Sequence, residues 1–429
     1  MKIFQYPDKR DWPALIRRPQ KAAEIAENSV VSIIETVRRK GDAALREFGR
    51  KFDRVKQTDF RVCRREFDDA EVQINDELKR AIRLAIENIG KFHAAQLAEE
   101  EIVETQPGVR CWRKSVAIEK VGLYIPGGTA PLFSTVLMLA IPAKIAGCSE
   151  IVLCTPPNED GGVNPAILYT ARELGLEKVF KLGGAQAVAA MAYGTESVPK
   201  VDKIFGPGNS WVTLAKQLVS RDGVAIDMPA GPSEVLVLAD KNANPEFVAM
   251  DLLSQAEHGE DSQVILVTDS KTLAEKAGKT VQSQLKKLPR KEIAERSLQN
   301  SRVILLKDTS EMMDFANTYA PEHLIIMTEN AAELSEKVIN AGSVFIGAFT
   351  PESAGDYASG TNHTLPTYGY ARNYSGVSVD SFIKKITFQT LTKTGLRNIG
   401  PAIESMAAAE GLDAHKNAVS IRLKSMERE

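Results

Sequence analysis

Two side chains that can bind a metal ion lie three residues apart in the segment SQAEHG, where Gln255 precedes His258. This separation places both side chains on one face of a helix. Imidazole is a good zinc ligand, and carboxylate or amide oxygens can complete such a site. Because glutamine is a rare zinc ligand, the pair favours a catalytic site with exchangeable coordination over a structural one. From the spacing alone, a capping or solvated role at a helix end is the more common alternative.

A candidate pair for proton transfer, Glu322 and His323, opens the apolar run HLIIMT. Histidine is the natural base near neutral pH, and glutamate can activate water. Adjacent residues of a strand point to opposite faces, but at the first residues of a strand both side chains can reach a cleft. The position directly before a buried strand makes this pair a better functional candidate than most.

Three further candidates are ambiguous when each is taken alone. Asp356 lies between Gly355 and Gly360, in a segment that we expect to bend tightly, so an Asx turn competes with ligand binding. His415 shares a predicted C-terminal helix with Glu410. Both are residue types that more often lie on a solvated surface.

Four glycine-rich turns follow predicted strands and offer backbone N–H groups to an anionic or nucleotide ligand: YIPGGTAP at 124–131, LGGAQAV at 182–188, FGPGNSW at 205–211 and MPAGPSE at 228–234. Ligands in open α/β sheets bind at the carboxyl ends of strands, where turns lead into helix N-termini. None of the turns fits the G-x-G-x-x-G fingerprint, and each alone also fits a simple tight connection. The side chains most naturally directed at such a ligand are Tyr124, Gln186 and Asn209.

Strand patterns that alternate with helical patterns predict parallel sheets with helices on both faces, arranged as two α/β lobes. The N-terminal third is predicted to be helical, and one long amphipathic stretch has Asp68 and Asp69 as its cap candidates. After about Ser375 the alternation stops, and a mostly helical tail is expected to pack on something else, such as another subunit. The predicted strands lie at 150–155, 178–183, 203–206 and 233–239, and then at 262–268, 301–306, 323–328 and 343–347.

Composition excludes several classes of protein. A chain of 429 residues is too long for one simple core, and its net charge of −2 gives no basic surplus for nucleic acid. The first twenty residues have no apolar core of the signal-peptide type, and the most apolar run, at 130–147, is a poor membrane span. The four cysteines lack the spacing of a zinc knuckle or a disulfide framework, so we expect buried, reduced thiols in a cytoplasmic protein.

Longer motifs resemble those of one known family, histidinol dehydrogenase. The resemblance extends from about Arg17 to Arg422 and rests on VGLYIPGGTAP, GGAQAVAA, FGPGN, DMPAGPSEVLV, LLSQAEHG, PEHLI, SAGDYASGTNHTLPTYG and AAAEGLDAHKNAV, in this order. It implies an enzyme that oxidises L-histidinol through an enzyme-held aldehyde to L-histidine with two NAD⁺, the last step of histidine biosynthesis. It also implies a homodimer with one Zn²⁺ per subunit.

The resemblance further implies roles for individual residues. Glu322 and His323 would be catalytic, with His323 as the general base and Glu322 activating water. The implied zinc ligands are Gln255, His258, Asp356 and His415, and the implied NAD⁺ contacts are Tyr124, Gln186 and Asn209. The implied substrate contacts are Ser233, Gln255, His258, His323, Asp356, Glu410 and His415. Because the C-terminal tail of this family reaches into the partner's site, Glu410 and His415 would act in the other subunit.

The expected architecture therefore consists of two incomplete Rossmann-like lobes with parallel sheets. The larger lobe would comprise residues 21–122 and 236–376, and residues 123–235 would form the second, NAD-binding lobe. An N-terminal segment, residues 1–20, would pack with a C-terminal dimerisation tail, residues 377–429.

Two other functions share parts of this pattern. A zinc-dependent hydrolase could use Glu322 and the metal to attack an amide, and it would need no nucleotide. A two-lobed solute-binding protein shares the bilobal α/β plan, but such proteins are usually exported, and the sequence shows no signal peptide. A purely regulatory NAD-binding module would leave the set of Gln, His and Asp residues unexplained.

Overall fold

The computed structural model of the protein describes residues 1–19, 24–57, 59–127, 131–229 and 231–428. They form two compact units, one of Met1–Gln96 with Glu119–Ser381 and one of Leu97–Ile118 with Phe382–Glu429. The strands within these described ranges are β1 (Lys2–Gln5), β2 (Ile102–Gln106), β3 (Val109–Ala117), β4 (Lys120–Tyr124), β5 (Glu150–Thr155), β6 (Lys178–Lys181), β7 (Lys203–Phe205), β8 (Ala225–Ile226), β9 (Glu234–Ala239), β10 (Gln263–Thr268), β11 (Arg302–Leu305), β12 (His323–Met327), β13 (Ser343–Ile346) and β14 (Ile383–Leu391).

The helices of the same described ranges connect these strands and flank the sheets. They are α1 (Trp12–Leu15), α2 (Glu24–Lys40), α3 (Asp42–Phe48), α4 (Arg64–Gln73), α5 (Asp76–Ala94), α6 (Phe133–Ala146), α7 (Pro165–Glu173), α8 (Gly184–Tyr193), α9 (Ser210–Ser220), α10 (Pro245–Ala256), α11 (Lys271–Leu285), α12 (Lys291–Gln299), α13 (Thr309–Tyr319), α14 (Ala331–Ser335), α15 (Glu352–Tyr357), α16 (Lys393–Ala409) and α17 (Asp413–Met426). None of them, as far as the chain is described, combines the length and the apolarity that a membrane crossing requires.

The first unit contains a parallel sheet with the strand order β1-β11-β10-β9-β12-β13. Its central strand β9 is buried on both faces. Val235 and Val237 pack with residues of α10, α11 and α12, whereas Leu236 and Leu238 pack with residues of α1 and α13. Period-two packing on both faces explains why this strand has a continuous apolar sequence.

A second parallel sheet of the first unit has the strand order β6-β5-β4-β7-β8. Residues of α2, α8 and α9 form a core with it. Helix α6, on the chain between β4 and β5, has ten consecutive buried residues from Ser134 to Ala143. A helix that is apolar on all sides belongs in the interior, so the most apolar run of the sequence is a core helix. The two parallel sheets confirm the predicted α/β class.

All eight predicted strands are present, but the predicted helix around residues 68–97 is wrong in its extent. The helical region is divided into α4 and α5, because Asn75 adopts an extended conformation and its side chain accepts a hydrogen bond from the Leu78 N–H, 2.8 Å long. Helix α4 begins after Cys63, and Glu66 closes the cap by accepting from the Cys63 N–H. Asp68 and Asp69 therefore lie inside α4 and do not cap it.

The second unit confirms a mostly helical tail and adds a strand that was not predicted. The tail begins with β14, which forms an antiparallel sheet with β3 and β2 in the order β14-β3-β2. The paired residues Phe388 and Trp112 stack with their ring centroids 5.5 Å apart. The strand was missed because it pairs with a segment more than 260 residues away in the sequence. Helices α16 and α17 then complete the tail and pack against each other.

The cysteine prediction is correct in one part and wrong in another. All four cysteines are free, as expected, but only Cys154 among them is buried, and Cys63 is exposed at the start of α4. The lobe boundaries given above stay predictions. The proposed boundary between residues 20 and 21 lies outside the described residues, as do positions 128–130 and 230 of two glycine-rich turns.

Candidate active site

The predicted proton-transfer pair lies at the amino edge of the larger sheet. His323 is the first residue of β12 and pairs in register with Val235 of β9. Both Glu322 and His323 are buried, with 6% and 4% of their surfaces exposed. The Glu322 carboxylate accepts a hydrogen bond of 2.8 Å from the backbone N–H of Glu234, which opens β9. Two neighbouring strands therefore fix the position of both side chains.

The surroundings of His323 determine which ring nitrogen carries the proton. Nδ1 lies 3.1 Å from the backbone oxygen of Glu234, which can only accept a hydrogen bond, so Nδ1 is the protonated nitrogen. Nε2 is buried, and it has no hydrogen-bond partner in the described part of the chain. It lies 3.8 Å from Asp356 Oδ1. His323 thus presents an unoccupied lone pair at the centre of the site.

Helix α10 brings the predicted metal-binding pair to the same edge. Gln255 is in its last turn with 1% of its surface exposed, and His258 follows the helix end with an exposed ring. The neighbours of the Gln255 amide set its orientation: its nitrogen donates to Glu352 at 2.6 Å, and its oxygen accepts from the Glu234 N–H at 3.2 Å and from His323 Nδ1 at 3.1 Å. Asn244, whose side chain accepts from Glu246 N, caps the start of this helix.

Helix α15 supplies two acidic residues, one of which the sequence analysis missed. Ligand atoms of His258, Glu352 and Asp356 all lie within 4.8 Å of one another. Glu352 is 1% exposed, and its Oε2 is buried without a hydrogen-bond partner in the described residues. Glu352 lies four residues before Asp356, and this spacing, which places both carboxylates on one face of a helix, could have indicated its place in the site. That signal is visible only once residues 352–357 are known to be helical.

The donor set suits a zinc ion. It combines an imidazole with two carboxylates, ligand types that zinc accepts, and one carboxylate oxygen lacks any other partner among the described residues. Three of the four predicted ligands, Gln255, His258 and Asp356, are grouped here. The fourth, His415, lies in α17 of the second unit with an exposed side chain, and Glu410 is at the C-terminal end of α16 in the same unit.

Burial pushes the titratable groups of this site toward their neutral forms. It raises the pKa of Asp356 to about 7, and it raises the pKa values of Glu322 and Glu352 well above the usual range for glutamate. It lowers the pKa of His323 to about 3, so the ring is neutral at physiological pH. The pKa of His258 is also lowered, first by desolvation and then by the positive charge of Arg290.

A half-buried histidine, His363, borders the same site. Its Nδ1 lies 3.0 Å from the backbone oxygen of Asp356, and its Nε2 lies 3.1 Å from Thr135 Oγ1. Burial lowers the pKa of His363 to about 4. The sequence analysis assigned it no role, and its motif, SGTNHTLPT, contains no spacing that indicates one. Its contact with the Asp356 backbone stabilises the position of α15.

Ser233, a predicted substrate contact, precedes β9 directly. Its side chain is half-buried, and its backbone oxygen accepts from Gln263 N at the start of β10. The adjacent Glu234 forms a two-pronged ion pair with Arg18, with both N···O distances at 2.9 Å. Arg18 also lies over the ring of Tyr319, 3.8 Å from its centroid. These contacts make the start of β9, and hence the floor of the site, rigid.

The three predicted cofactor residues lie at the carboxyl edge of the smaller sheet. Tyr124 ends β4, Gln186 is in the first turn of α8 after β6, and Asn209 follows β7. The Tyr124 hydroxyl accepts from the Gly184 N–H at 3.0 Å, and burial raises its pKa to about 12, so it stays neutral. Gln186 forms a hydrogen bond with Asp53, whose pKa burial raises to about 6.

Asn209 has a structural role as well. Its Oδ1 accepts hydrogen bonds from the N–H groups of Trp211 and Val212, both 3.1 Å long, and so caps α9. The cap leaves the two amino protons of its amide for another acceptor. A helix N-terminus beside Tyr124 and Gln186 provides the positive potential that a pyrophosphate or carboxylate requires.

Comparisons with known proteins agree with this geometry. The sequence model of the family described as histidinol dehydrogenase matches residues 16–423. The histidinol dehydrogenase of Bacteroides thetaiotaomicron is 62% identical over 426 residues, which cover 99% of this chain and 100% of the relative. That of Escherichia coli is 54% identical over 415 residues, covering 96% of this chain and 95% of the relative.

A solved structure resembles the whole chain. The crystal structure of histidinol dehydrogenase from Elizabethkingia anophelis matches with a TM-score of 0.98 at 57% sequence identity, over 100% of this chain and 99% of that one. The two proteins agree in sequence, in fold and over their whole lengths, which excludes a chance similarity between unrelated α/β proteins. The protein is an enzyme, and it belongs to the histidinol dehydrogenase family.

Proposed function

We propose that the protein oxidises L-histidinol through L-histidinaldehyde to L-histidine and reduces two NAD⁺ in the process. Membership of the family supports the reaction class. The observation that carries the chemistry is His323, a buried neutral imidazole whose Nδ1 is occupied by Glu234 and whose Nε2 is unpaired. A base needs this combination of a fixed ring and a free lone pair.

In the first oxidation, His323 Nε2 takes the proton of the substrate hydroxyl as the carbinol C–H electron pair departs as hydride. NAD⁺ at the carboxyl edge of the smaller sheet would accept that hydride. The ring stays in place because Nδ1–H donates to the backbone of β9, which is part of a sheet and does not move with the side chain. The low pKa of His323 keeps Nε2 available across the physiological range.

In the second oxidation, a water adds to the aldehyde carbon, and Glu322 takes a proton from it. A second NAD⁺ would then accept hydride from the same carbon, and loss of the remaining hydroxyl proton gives the carboxylate of the product. Glu322 is suited to this role because the Glu234 N–H anchors one of its oxygens. His323 Nδ1 lies 3.6 Å from that oxygen, so the two side chains are direct neighbours at the start of β12.

Gln255, His258 and Asp356 would hold zinc together with the partner subunit's His415, and Glu352 would orient the Gln255 amide from behind. Zinc bound there would position the imidazole and amino nitrogens of histidinol and would favour the ionised forms of the neighbouring carboxylates. Ser233 at the start of β9 and the partner subunit's Glu410 would complete the substrate contacts.

Tyr124, Gln186 and Asn209 would bind NAD⁺, with the N-terminus of α9 directed at its phosphates. The loop at 205–211 has glycines that allow a close approach, although the usual dinucleotide fingerprint is absent. NAD⁺ binding at this edge accords with the general location of ligands in parallel sheets.

The second unit would form the dimer and complete the partner's active site. Three apolar side chains of the tail, Met406, Leu412 and Ile421, have 67%, 42% and 68% of their surface exposed. Helix α17 has no buried residue in the part of the chain that is described. Apolar surface of this kind marks an interaction site. A homodimer would cover it and bring Glu410 and His415 to the other subunit.

The test is the yield of NADH per L-histidinol, measured by absorbance with and without a chelator. We expect two NADH for each histidinol consumed, with the activity lost on chelation and recovered on addition of zinc. A yield of one, with aldehyde accumulating, would refute the second half of the reaction. Amide hydrolysis without NADH formation would instead support the zinc hydrolase that the sequence left open.

A further inference from the structure

A buried ion pair lies behind the loop that precedes α9. Lys216 of α9 contacts Asp227, which follows β8, through Nζ and Oδ1. The side chains are 3% and 2% exposed, so water screens neither charge. Removal of two charges from water is expensive, and such a pair is weak evidence for a gain in stability. The position of the pair in the fold explains its presence better than a gain in stability does.

Both partners of the pair bind the same residue, Gly206. The Asp227 carboxylate accepts a hydrogen bond of 2.8 Å from the Gly206 N–H, and the Lys216 ammonium donates one of 2.9 Å to the Gly206 oxygen. The other carboxylate oxygen of Asp227 accepts from Met228 N at 2.8 Å, which fixes the acid itself. The ion pair thus holds the Gly206 backbone from both sides.

Gly206 is also the point where the loop meets β4. Its φ of +120° is a conformation that residues with a side chain rarely adopt. A Cβ at this position would lie 2.1 Å from the backbone oxygen of Tyr124. Three residues further along the chain, Asn209 caps α9. The conformation of Gly206 therefore sets the distance between Tyr124 and Asn209, two of the three proposed NAD⁺ contacts.

We propose that Lys216 and Asp227 are positioning residues for the cofactor. They hold the loop at 206–209 in the single conformation that binds NAD⁺, and neither touches the reacting atoms. This inference rests on the proposed function, because it requires that the loop bind NAD⁺. A charged pair suits the task better than an apolar contact, since it fixes the N–H and the C=O of one residue directionally.

The test compares Lys216→Met with Lys178→Met in the zinc-loaded dimer. Lys178 also forms an ion pair in this sheet, 2.7 Å from Glu150, but at the amino edge, away from the loop. If Lys216→Met lowers the population of the NAD⁺-binding conformation of the loop at 206–209 to about a tenth, the apparent Kd for NAD⁺ rises about tenfold. We expect that rise in the Kd and KM for NAD⁺ in Lys216→Met only, with the KM for histidinol and the zinc content unchanged.

A merely structural role would lower the thermal stability of Lys216→Met and leave the ratio of the two KM values unchanged, and that outcome would overturn the proposal. Should Lys216→Met not fold, hydrogen exchange of the wild-type enzyme decides the question. Without NAD⁺, the Gly206 amide should be protected as strongly as the amides of β7, and exchange at the rate of an open loop would refute the clamp. If Asn209→Ala weakens NAD⁺ binding while Lys216→Met does not, only this inference fails. If wild type forms no NADH from histidinol, the proposed function itself fails.

Discussion

His323 can be tested by two substitutions that separate its two ring nitrogens. In His323→Asn, the side-chain amide lies near the position of Nδ1 and can still donate to the Glu234 oxygen, 3.1 Å from Nδ1 in the native site. In His323→Gln, the amide reaches the position of Nε2 but cannot take up a proton. If His323 is the base, both variants lose it, although His323→Asn keeps the contact with the Glu234 oxygen and His323→Gln keeps the reach of the side chain toward the Nε2 position.

The expected loss follows from the role assigned to Nε2. A positioned general base contributes about 10²- to 10⁴-fold to the rate. At about 1.36 kcal/mol for each factor of ten, this corresponds to roughly 2.7 to 5.5 kcal/mol of activation free energy. We expect kcat to fall by that factor in both variants, with the KM for histidinol changed far less. Zinc content should be unchanged, because His323 is not among the predicted ligands.

The assay is the first turnover, followed as NADH formed in a rapid-mixing experiment, with zinc measured on the same samples. His93→Asn is the matched control. His93 is another fully buried histidine whose Nδ1 lies near a backbone oxygen, that of Ile89 at 2.9 Å, and it has no proposed catalytic role. Its substitution should lower thermal stability and leave kcat unchanged. A value of kcat in His323→Gln within about threefold of wild type would contradict the assignment of the base, because 10²-fold is the lower limit for a base.

Three further predictions concern the metal site and the dimer. Glu352→Gln should weaken zinc binding about 10- to 100-fold, as measured by equilibrium dialysis, because Glu352 holds the amide of Gln255; unchanged affinity would mean that the contact is incidental. His258→Ala and His415→Ala dimers should each be inactive, and mixing their subunits should restore one active site per dimer, whereas a His415 that acts within its own chain would give no recovery. Zinc affinity should rise with pH through about pH 7, the pKa of Asp356, with protons released on binding. The affinity rises with pH because burial raises the pKa of Asp356, so that its carboxyl must lose a proton before it binds the metal. Titration calorimetry in buffers of different ionisation enthalpy would detect the released protons. A zinc affinity independent of pH would contradict the role of Asp356 as a ligand.

The strands were predictable because they are local features of the sequence. Runs such as EVLVLA are buried on both faces, so their apolar character requires no knowledge of the partner strand. β14 differs, since its pattern IKKITFQTL has largely exposed side chains and its pairing with β3 depends on contacts distant in the sequence. The break between α4 and α5 was missed for another reason. Only Ile74 and Asn75 separate the two helices, so the sequence offers a very short signal for the break.

The sequence places both groups of candidate residues at a sheet edge, each for a different reason. The rule that ligands bind at the carboxyl ends of parallel strands predicts the edge of the smaller sheet where Tyr124, Gln186 and Asn209 lie, and their binding of NAD⁺ stays a proposal. His323 lies instead at the amino end of β12, beside the start of β9. A helix that connects two neighbouring parallel strands must run back along the sheet. The end of α10 therefore returns Gln255 to the edge where β9 and β12 begin. No spacing within the sequence shows which edge will carry the chemistry.

The electrostatics of this edge bear on how one site would serve both proposed oxidations. Burial makes His323 a neutral base, as the first step requires, but the same burial raises the pKa of Glu322, which the second step needs as a carboxylate. A dication beside Asp356 would resolve this conflict, since positive charge lowers the pKa of a nearby carboxyl and also opposes protonation of a nearby imidazole. Both bases would then be in their active forms at the same pH. In the proposed two-step reaction, the close grouping of acids with His323 would therefore make metal binding and proton transfer at this site depend on each other.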